Sequence, residues 1–561
     1  MGVIVEFEYR SAVKGGVRPE SEHGDYKVAR FRIAPGAEAL LAYSYAHSCG
    51  QLPSDEERQV DEWAKRPYAV IPAPDGSLLL VVPSWIPLAA GWLVNVTESY
   101  RIYRVDHYAL WAGLVPEELK DVIDSRDVLR LQLTHTHLVG PDEDLEKAWE
   151  RYRKHLLRRE PEGIRVKEGE RWDLLLALVG DGVLPFVPNP VIPRWRWKTA
   201  GLELRPYQRE ALEAFIRTGA VTVTWPPGAG KTTLAVACIS AVSGRTLIVV
   251  PSVSILRRWE DELKKWLPNG PRPVLLHSGA PPRKPGAEIT ISTYQSALKR
   301  FVGGDEEFEL LVVDEAHHLP ADTFSKLASI RTRYRIALTA SPFREDGRTE
   351  LIYALGGFPV AADYEELVRT GHVKKPELEI YVTSYKLQAL KALVDKLLRT
   401  ADGKIIIYSD YIDEGRQLAA FLNQAFAAEV PYIHGDTPLN RRYGELEGRR
   451  LVVASRVFDE GMDIPDLAAS VEYSFLFGSR RQEFQRAGRL MHSLMRGVRH
   501  YVLMTPDEFE RYRKRFLPLL GRGIRVSVKD VAELLAAGVE EAGAPVWSVA
   551  EKDISAPDTS A

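Results

Sequence analysis

The chain of 561 residues carries only two cysteines, Cys49 and Cys238. Two thiols cannot build a disulfide framework or a four-cysteine zinc or iron–sulfur site within one chain, so both are expected as buried thiols. Methionine is scarce, at five residues, and so is asparagine, at five. A shortage of thermolabile residues hints at a thermophilic source. No apolar run reaches the length of a membrane span, and the opening "MGVIVEFEYR" lacks the charged start, apolar stretch and cleavage site of a signal peptide. A cytoplasmic protein with no membrane partner is expected. A large charge of one sign is missing too, because 74 Lys and Arg against 77 Asp and Glu leave a net −3. Overall charge exerts no pull toward nucleic acid, and any such binding must come from a local groove.

What is present is a globular composition, 45% hydrophobic and 27% charged, on a chain long enough for about three or four domains. The first part, to about residue 160, mixes short alternating stretches such as "LLLVVPSWIPL" (78–88) with an amphipathic helix expected over 142–160. The proline-rich "PFVPNPVIPRWRWK" (185–198) reads as part of a linker. From there, apolar runs of strand length ending in polar residues alternate with helical segments: "TLIVVPS" (246–252), "EITISTYQ" (288–295), "ELLVVDEAHH" (309–318), "RIALTAS" (335–341), "KIIIYSD" (404–410), "RRLVVAS" (449–455) and "RHYVLMT" (499–505). That order predicts an α/β fold with two parallel sheets in tandem, whose ligands collect at the carboxyl ends of the strands. A mixed α+β region precedes them. The expected division is an accessory domain over 1–165, a linker over 166–198, parallel-sheet units over 199–350 and 351–515, and a C-terminal helix with flexible tail over 516–561.

The stretch "TWPPGAGKTTL" (224–234) lies between a strand and a helix and resembles a phosphate-binding loop whose opening glycine is replaced by Trp225. Gly228, Ala229 and Gly230 form its bend, Lys231 supplies charge for phosphates, and the hydroxyls of Thr232 and Thr233 stand where a magnesium ion and a phosphate are expected. In "LVVDEAHH", Asp314 can hold the metal with Thr232, and Glu315 can orient or deprotonate an attacking water. In "SRRQEFQRAGRLMHS" (479–493), Arg486 and Arg489 stand three apart, on one face if helical, and either could reach a terminal phosphate as an arginine finger. A solvated basic helix is the plain alternative.

Over about residues 202–505 these pieces together resemble superfamily 2 helicases. "LRPYQREAL" (204–212) matches the adenine-reading Q motif, with Arg205 and Gln208. "PPGAGKT" matches motif I and "DEAH" motif II, where His317 would couple to Gln485 of motif VI. "LTAS" (338–341) stands as motif III, and "SRVFDEGMDIPD" (455–466) as motif V through Gly461 and Asp463. Within the superfamily the chain is similar to XPB proteins: Arg344, Glu345 and Asp346 match their Arg-Glu-Asp element, and "GSRRQEFQRAGRL" follows their motif VI. The resemblance implies two RecA-like domains, ATP and Mg2+ as cofactors, catalysis by Lys231, Asp314, Glu315, Gln485, Arg486 and Arg489, and 3' to 5' action on DNA in repair or transcription. It places Pro251, Ser252, Thr293, Ser409 and Ser455 on the nucleic-acid track, although each is also an ordinary cap or turn residue type. A monomeric motor is implied, with a nuclease or the transcription machinery as partner.

Two departures bear on mechanism. His492 stands where motif VI has its third arginine, leaving the phosphate-sensing duty to Arg489 alone or with an imidazole. The stretch before "KIIIYSD" is short for the thumb-like insertion of XPB proteins, so strand separation and duplex tracking both stay open. In the N-terminal region, the aromatics of "ESYRIYRVDHYALWAGL" (98–114) read as core, with stacking on bases as the alternative. His135 and His137 in "LTHTHLV" form a candidate metal pair without an evident third ligand.

Overall fold

The structure, a computed structural model, describes residues 3–10, 21–23, 26–33, 69–72, 78–83, 91–96, 100–115, 119–120, 128–278, 286–319, 321–340, 348–362, 364–373, 376–446, 448–455, 464, 466–474, 486, 490, 497–516, 519, 524–529 and 531.

Two seven-stranded, wholly parallel sheets dominate it. The first runs, in spatial order, Val274–Leu276, Ile289–Thr293, Thr246–Val250, Phe308–Val313, Thr332–Thr339, Ala220–Thr224 and Phe358–Val360. The second runs Tyr432–Ile433, Leu451–Ala454, Lys404–Tyr408, Leu467–Glu472, Arg499–Met504, Glu377–Val382 and Val526–Lys529. The central strands are apolar on both faces because helices cover both: every residue of Thr246–Val250 and of Leu467–Glu472 is buried. Even the helix Lys231–Val242 is buried on all sides from Leu234 onward, as its unbroken apolar run "LAVACISAV" requires.

The boundaries expected from sequence need three corrections. Strand Phe358–Val360 pairs with Ala220–Thr224, so the first sheet extends past residue 350. Strand Val526–Lys529 pairs with Glu377–Val382, so the second sheet draws on the segment expected as C-terminal helix and tail. The 166–198 linker is no free tether either. Residues Arg171–Gly180 form a helix that packs on the helix Glu350–Gly356. The following extended segment is tied down by the backbone N–H groups of Asn189, Val191 and Arg194, bonded to carbonyls of Thr218, Ile216 and Ala241. The flexible tail expected after residue 543, and Cys49, lie outside the described residues.

Before the parallel sheets stand three small antiparallel ones. The first comprises Val3–Arg10, Tyr26–Ile33 and Ser21–His23; the second Ala69–Pro72, Leu78–Pro83, Tyr100–Val105 and Trp92–Val96; the third Leu156–Glu160, Gly163–Val166, His137–Val139 and Gln132–Leu133. The amphipathic helix expected over 142–160 is also corrected, since it covers Asp142–Arg151 only. Its continuation turns into strand Leu156–Glu160, which forms a hairpin with Gly163–Val166 through Gly163 at φ 137°; the neighbouring strand His137–Val139 packs so close that a Cβ on Gly163 would meet Leu138 O at 2.4 Å. Of the aromatics in 98–114, Tyr103, Tyr108 and Trp111 behave as core. Tyr103 is fully buried, and Trp111 meets Tyr353 edge-on at 5.0 Å, with Tyr108 stacked on the same ring at 5.6 Å. Tyr353 belongs to the helix Glu350–Gly356, so these rings dock the N-terminal region on the first sheet's cover.

Candidate functional site

The loop after strand Ala220–Thr224 shows what Trp225 does. It is fully buried in the core, edge-on to Tyr207 at 5.0 Å. The ring anchors the root of the loop, and the missing glycine costs the bend nothing. That bend comes from Gly228 and Gly230, at φ 83° and 78°, a region open to glycine. A Cβ on Gly230 would lie 2.2 Å from the Gln208 amide nitrogen. Gly230 caps the helix Lys231–Val242, whose first N–H groups have no partner within the helix and suit an anion. Thr232 and Thr233 sit half-buried in its first turn. The Lys231 ammonium folds back on its own loop, donating to the carbonyls of Trp225 at 3.0 Å and Pro226 at 3.3 Å.

Gln208, expected as the adenine reader, is turned toward the phosphate loop. It is 2% exposed, its amide oxygen accepts from the Arg205 N–H at 2.9 Å, and its amide nitrogen donates to the carbonyls of Ala229 at 3.1 Å and Gly230 at 3.2 Å. The amide is spent on bracing the loop from behind. Arg205 holds the Tyr207 hydroxyl at 3.0 Å, which itself donates to Ala229 O at 2.7 Å.

Asp314 follows the last residue of strand Phe308–Val313, and its N–H donates to Val249 O at 2.9 Å. Burial pushes its carboxyl above the usual range, opposed by the Trp259 indole N–H, which donates to it at 2.7 Å, and by the Lys231 charge. Glu315 holds a left-handed backbone, φ 50° and ψ 46°, a conformation that costs a non-glycine residue about 1–2 kcal/mol. The His317 ring nitrogen Nδ1 lies 3.3 Å from the Glu315 carboxylate and 2.9 Å from the Thr339 hydroxyl. His317 thus links motif II to motif III. Gln485, its expected partner, lies outside the described residues, as do Arg489, His492, Gly461, Asp463, Arg344, Glu345 and Asp346.

Arg486 is corrected as a candidate finger. Its side chain is fully buried, with Nη2 2.5 Å from the Asp410 carboxylate and Nη1 on Glu472. Arg515 shares Glu472 at 2.7 Å. The guanidinium is committed inside the second sheet's edge and has no path to a phosphate.

Of the expected nucleic-acid residues, Pro251, Ser252 and Thr293 come together at the carboxyl ends of two adjacent strands. Ser252 and Thr293 also cap the helices Val253–Trp266 and Tyr294–Phe301. Ser409 is corrected: it is fully buried, bonded to Glu414 at 2.8 Å and 3.1 Å from the Ser474 hydroxyl, so it shapes its loop and cannot touch a ligand directly. Ser455 is 8% exposed, its N–H bonded to Ile433 O at 2.9 Å. Sequence reasoning missed Trp259 and Tyr294, because a tryptophan or tyrosine on an apolar helix face reads as core whatever its polar tip does.

The possible metal pair resolves differently. His137 Nε2 lies 2.9 Å from a Glu160 oxygen, and these two with Glu162 place ligand atoms within 4.8 Å of one another, without His135. Arg158 already donates to the other Glu160 oxygen at 2.6 Å and Arg165 stands 3.7 Å away, so the cluster is an ion-pair group. The bonds from His137 and Arg158 hold the Glu160 carboxyl down to about 2, from 4.5. Its contribution to stability is therefore complete above pH 4.5 and lost as pH falls toward 2. Thermal midpoints measured from pH 5 downward should fall less steeply in Glu160→Gln than in the parent.

The comparisons fit this geometry. Residues 201–344 match the family of the type III restriction enzyme res subunit, and residues 359–519 the ERCC3/RAD25/XPB C-terminal helicase family. A Rad25 protein of Halobacterium salinarum is 34% identical over 371 residues, 59% of either chain. Another, of Haloarcula marismortui, is 29% identical over 501 residues, 76% of this chain and 77% of that one. The DNA 3'-5' translocase XPB2 of Sulfurisphaera tokodaii is 28% identical over 56% of this chain and 82% of its own length. The chain thus spans little more than half the length of the first of these relatives. No helix among the described residues is long and apolar enough to cross a membrane. With a phosphate loop and acidic pair in the first parallel sheet, an XPB-type match over the second, and Rad25 and XPB relatives across both, the chain is similar to the XPB-like superfamily 2 helicases.

Proposed function

We propose that the chain is an ATP- and Mg2+-dependent motor on DNA, a helicase or duplex translocase of XPB type that moves 3' to 5' and serves repair or transcription. Its two parallel sheets are the two motor domains. One observation carries the reading: the Lys231 loop and the Asp314–Glu315 pair stand at the carboxyl ends of strands in one sheet, close enough for the Lys231 charge to act on the Asp314 carboxyl. The residues fit such a ligand, since a glycine bend, a helix N-terminus, a lysine and a buried carboxylate are the donor and acceptor set a nucleoside triphosphate with Mg2+ needs.

Bound Mg2+ would be held by Asp314 and Thr232, and it neutralises charge on the phosphates during transfer. Lys231 exchanges its two loop carbonyls for phosphate oxygens. Glu315 orients the attacking water and takes its proton. Arg489, with or without His492, senses the terminal phosphate from the second sheet. Pro251, Ser252 and Thr293 line the edge where DNA lies, held through its phosphates and so with little sequence preference. A nuclease or the transcription machinery is the partner class that such a motor would feed.

The test is ATP hydrolysis without nucleic acid and with single-stranded DNA, duplex DNA, forks and RNA. DNA should stimulate turnover, and Lys231→Ala should remove at least roughly 100-fold of it, as loss of a phosphate-stabilising charge does. Nucleotide-dependent DNA binding with negligible turnover would instead favour a nucleotide-switched binding module, the reading that His492 in place of an arginine suggests.

A further inference from the structure

The acidic pair is gripped by two aromatic donors, each on a helix that starts at the proposed DNA edge. The helix Val253–Trp266 opens at Ser252, whose hydroxyl accepts from the Ile255 N–H. About two turns further on, Trp259 is 1% exposed, and its indole N–H donates to Asp314 Oδ2 at 2.7 Å. The other carboxylate oxygen accepts from the Glu315 N–H at 3.0 Å. The helix Tyr294–Phe301 opens at Thr293, and its first residue carries the second donor. The Tyr294 hydroxyl donates to the carbonyl of Asp314, with that of Glu315 3.0 Å away. One helix therefore fixes the Asp314 carboxylate, and the other fixes the peptide that holds Glu315 in its left-handed turn.

Both grips are stiff. An indole has one donor and no acceptor, and a tyrosine tip can reach only where its ring is packed. Trp259 lies in the core that also holds the phosphate loop's helix Lys231–Val242, Tyr294 in the core on the other face of the sheet. A shift of either helix start, as phosphates settle on Ser252 or Thr293, has to be passed to Asp314 or to Glu315, because a packed interior transmits displacement.

We infer that Trp259 and Tyr294 are positioning residues that carry DNA occupancy from the sheet edge to the metal-holding and water-activating pair. The inference rests on the motor reading above. Neither residue touches nucleotide or DNA in this assignment. Burial alone would demand that their polar tips find some acceptor. It would not demand that both choose Asp314, from helices starting at the same edge.

The experiment compares Trp259→Phe and Tyr294→Phe, which keep a ring and delete the donor, with the parent chain and with Trp266→Phe. That control removes an indole donor from the same helix, bonded to Glu262 at 2.7 Å. Thermal midpoints first establish that each variant folds. ATP turnover is then measured without DNA and at saturating duplex and single-stranded DNA, together with DNA affinity in the presence of ADP and a γ-phosphate mimic.

Basal turnover falls in both variants, and DNA-stimulated turnover should fall further, so that the stimulation ratio drops roughly tenfold, the scale of one lost hydrogen bond. The nucleotide-dependent gain in DNA affinity should shrink with it, since coupling between two binding sites is reciprocal. Trp266→Phe should leave both unchanged. Equal falls in basal and stimulated turnover, or an unaltered ratio, would overturn the inference while leaving the motor intact. A parent chain that hydrolyses ATP with no response to any DNA would overturn the motor reading, and this inference with it.

Discussion

Arg486→Ala should destabilise the second sheet by about 3–5 kcal/mol, the range for removing one partner of a buried ion pair. The side chains of Arg486, Asp410 and Glu472 are all fully buried. Arg486 also lies over the Tyr408 ring at 4.6 Å. Two carboxylates face two guanidiniums, because Arg515 donates to both Glu472 oxygens, at 2.7 and 3.0 Å. With Arg486 gone, Asp410 and Glu472 both lose a cation in a low-dielectric site. Denaturant unfolding should show the midpoint falling with little change in slope for that transition. Arg486→Lys should lose less, since it keeps the charge but cannot span both acids with one planar fork. If Arg486→Ala instead kept its stability and lost only turnover, the guanidinium would be a finger after all, and the buried pairs incidental.

Arg486 also shows where sequence reasoning ran out. Its spacing from Arg489 says that the two share a helical face, which is a statement about one turn of chain. Its partners lie 76 and 14 residues away, and only the strand order of the second sheet brings them under it. Gln208 meets the same limit. The residues of "LRPYQREAL" could be matched to an adenine reader one by one, but whether an amide is free depends on what stands behind it. Here that is the backbone of the phosphate loop, folded against the helix Pro206–Thr218.

What could be read from the chain was local and repetitive. The seven quoted runs end within a few residues of the observed strands because a buried parallel strand needs an unbroken apolar stretch and a polar stop, and both are visible in one dimension. Phe358–Val360 and Val526–Lys529 were missed as edge strands of three and four residues, with every side chain only half-buried. Such strands carry too little apolar signal to stand out. Helix Arg171–Gly180 was hidden by the prolines that follow it. Trp225 looked like damage to a motif until its ring was found in the core, where bulk is an advantage.

The acidic pair carries the other large expectation. Glu315→Gln should lower ATP turnover by on the order of 10²–10⁴-fold, the usual contribution of a positioned general base, while nucleotide and DNA binding survive. The substitution keeps the side chain's length and leaves the left-handed backbone at φ 50° no more strained than before. Lys231, Thr232 and Asp314 are untouched, so the phosphate and metal contacts assigned to them persist. An amide can still align a water through its oxygen, but it cannot accept the proton, so the loss should fall on kcat with KM for ATP little changed. Single-turnover hydrolysis beside equilibrium nucleotide binding separates the two. Asp314→Asn should differ, because it keeps an acceptor for the Trp259 indole but gives up the charge that holds the metal, and its loss should shrink as Mg2+ is raised. If Glu315→Gln left turnover untouched, the base would have to lie elsewhere. His317 is a neighbouring group able to accept a proton, with its ring 3.3 Å from the Glu315 carboxylate and 2.9 Å from the Thr339 hydroxyl. His317→Ala would then abolish the hydrolysis that Glu315→Gln had spared.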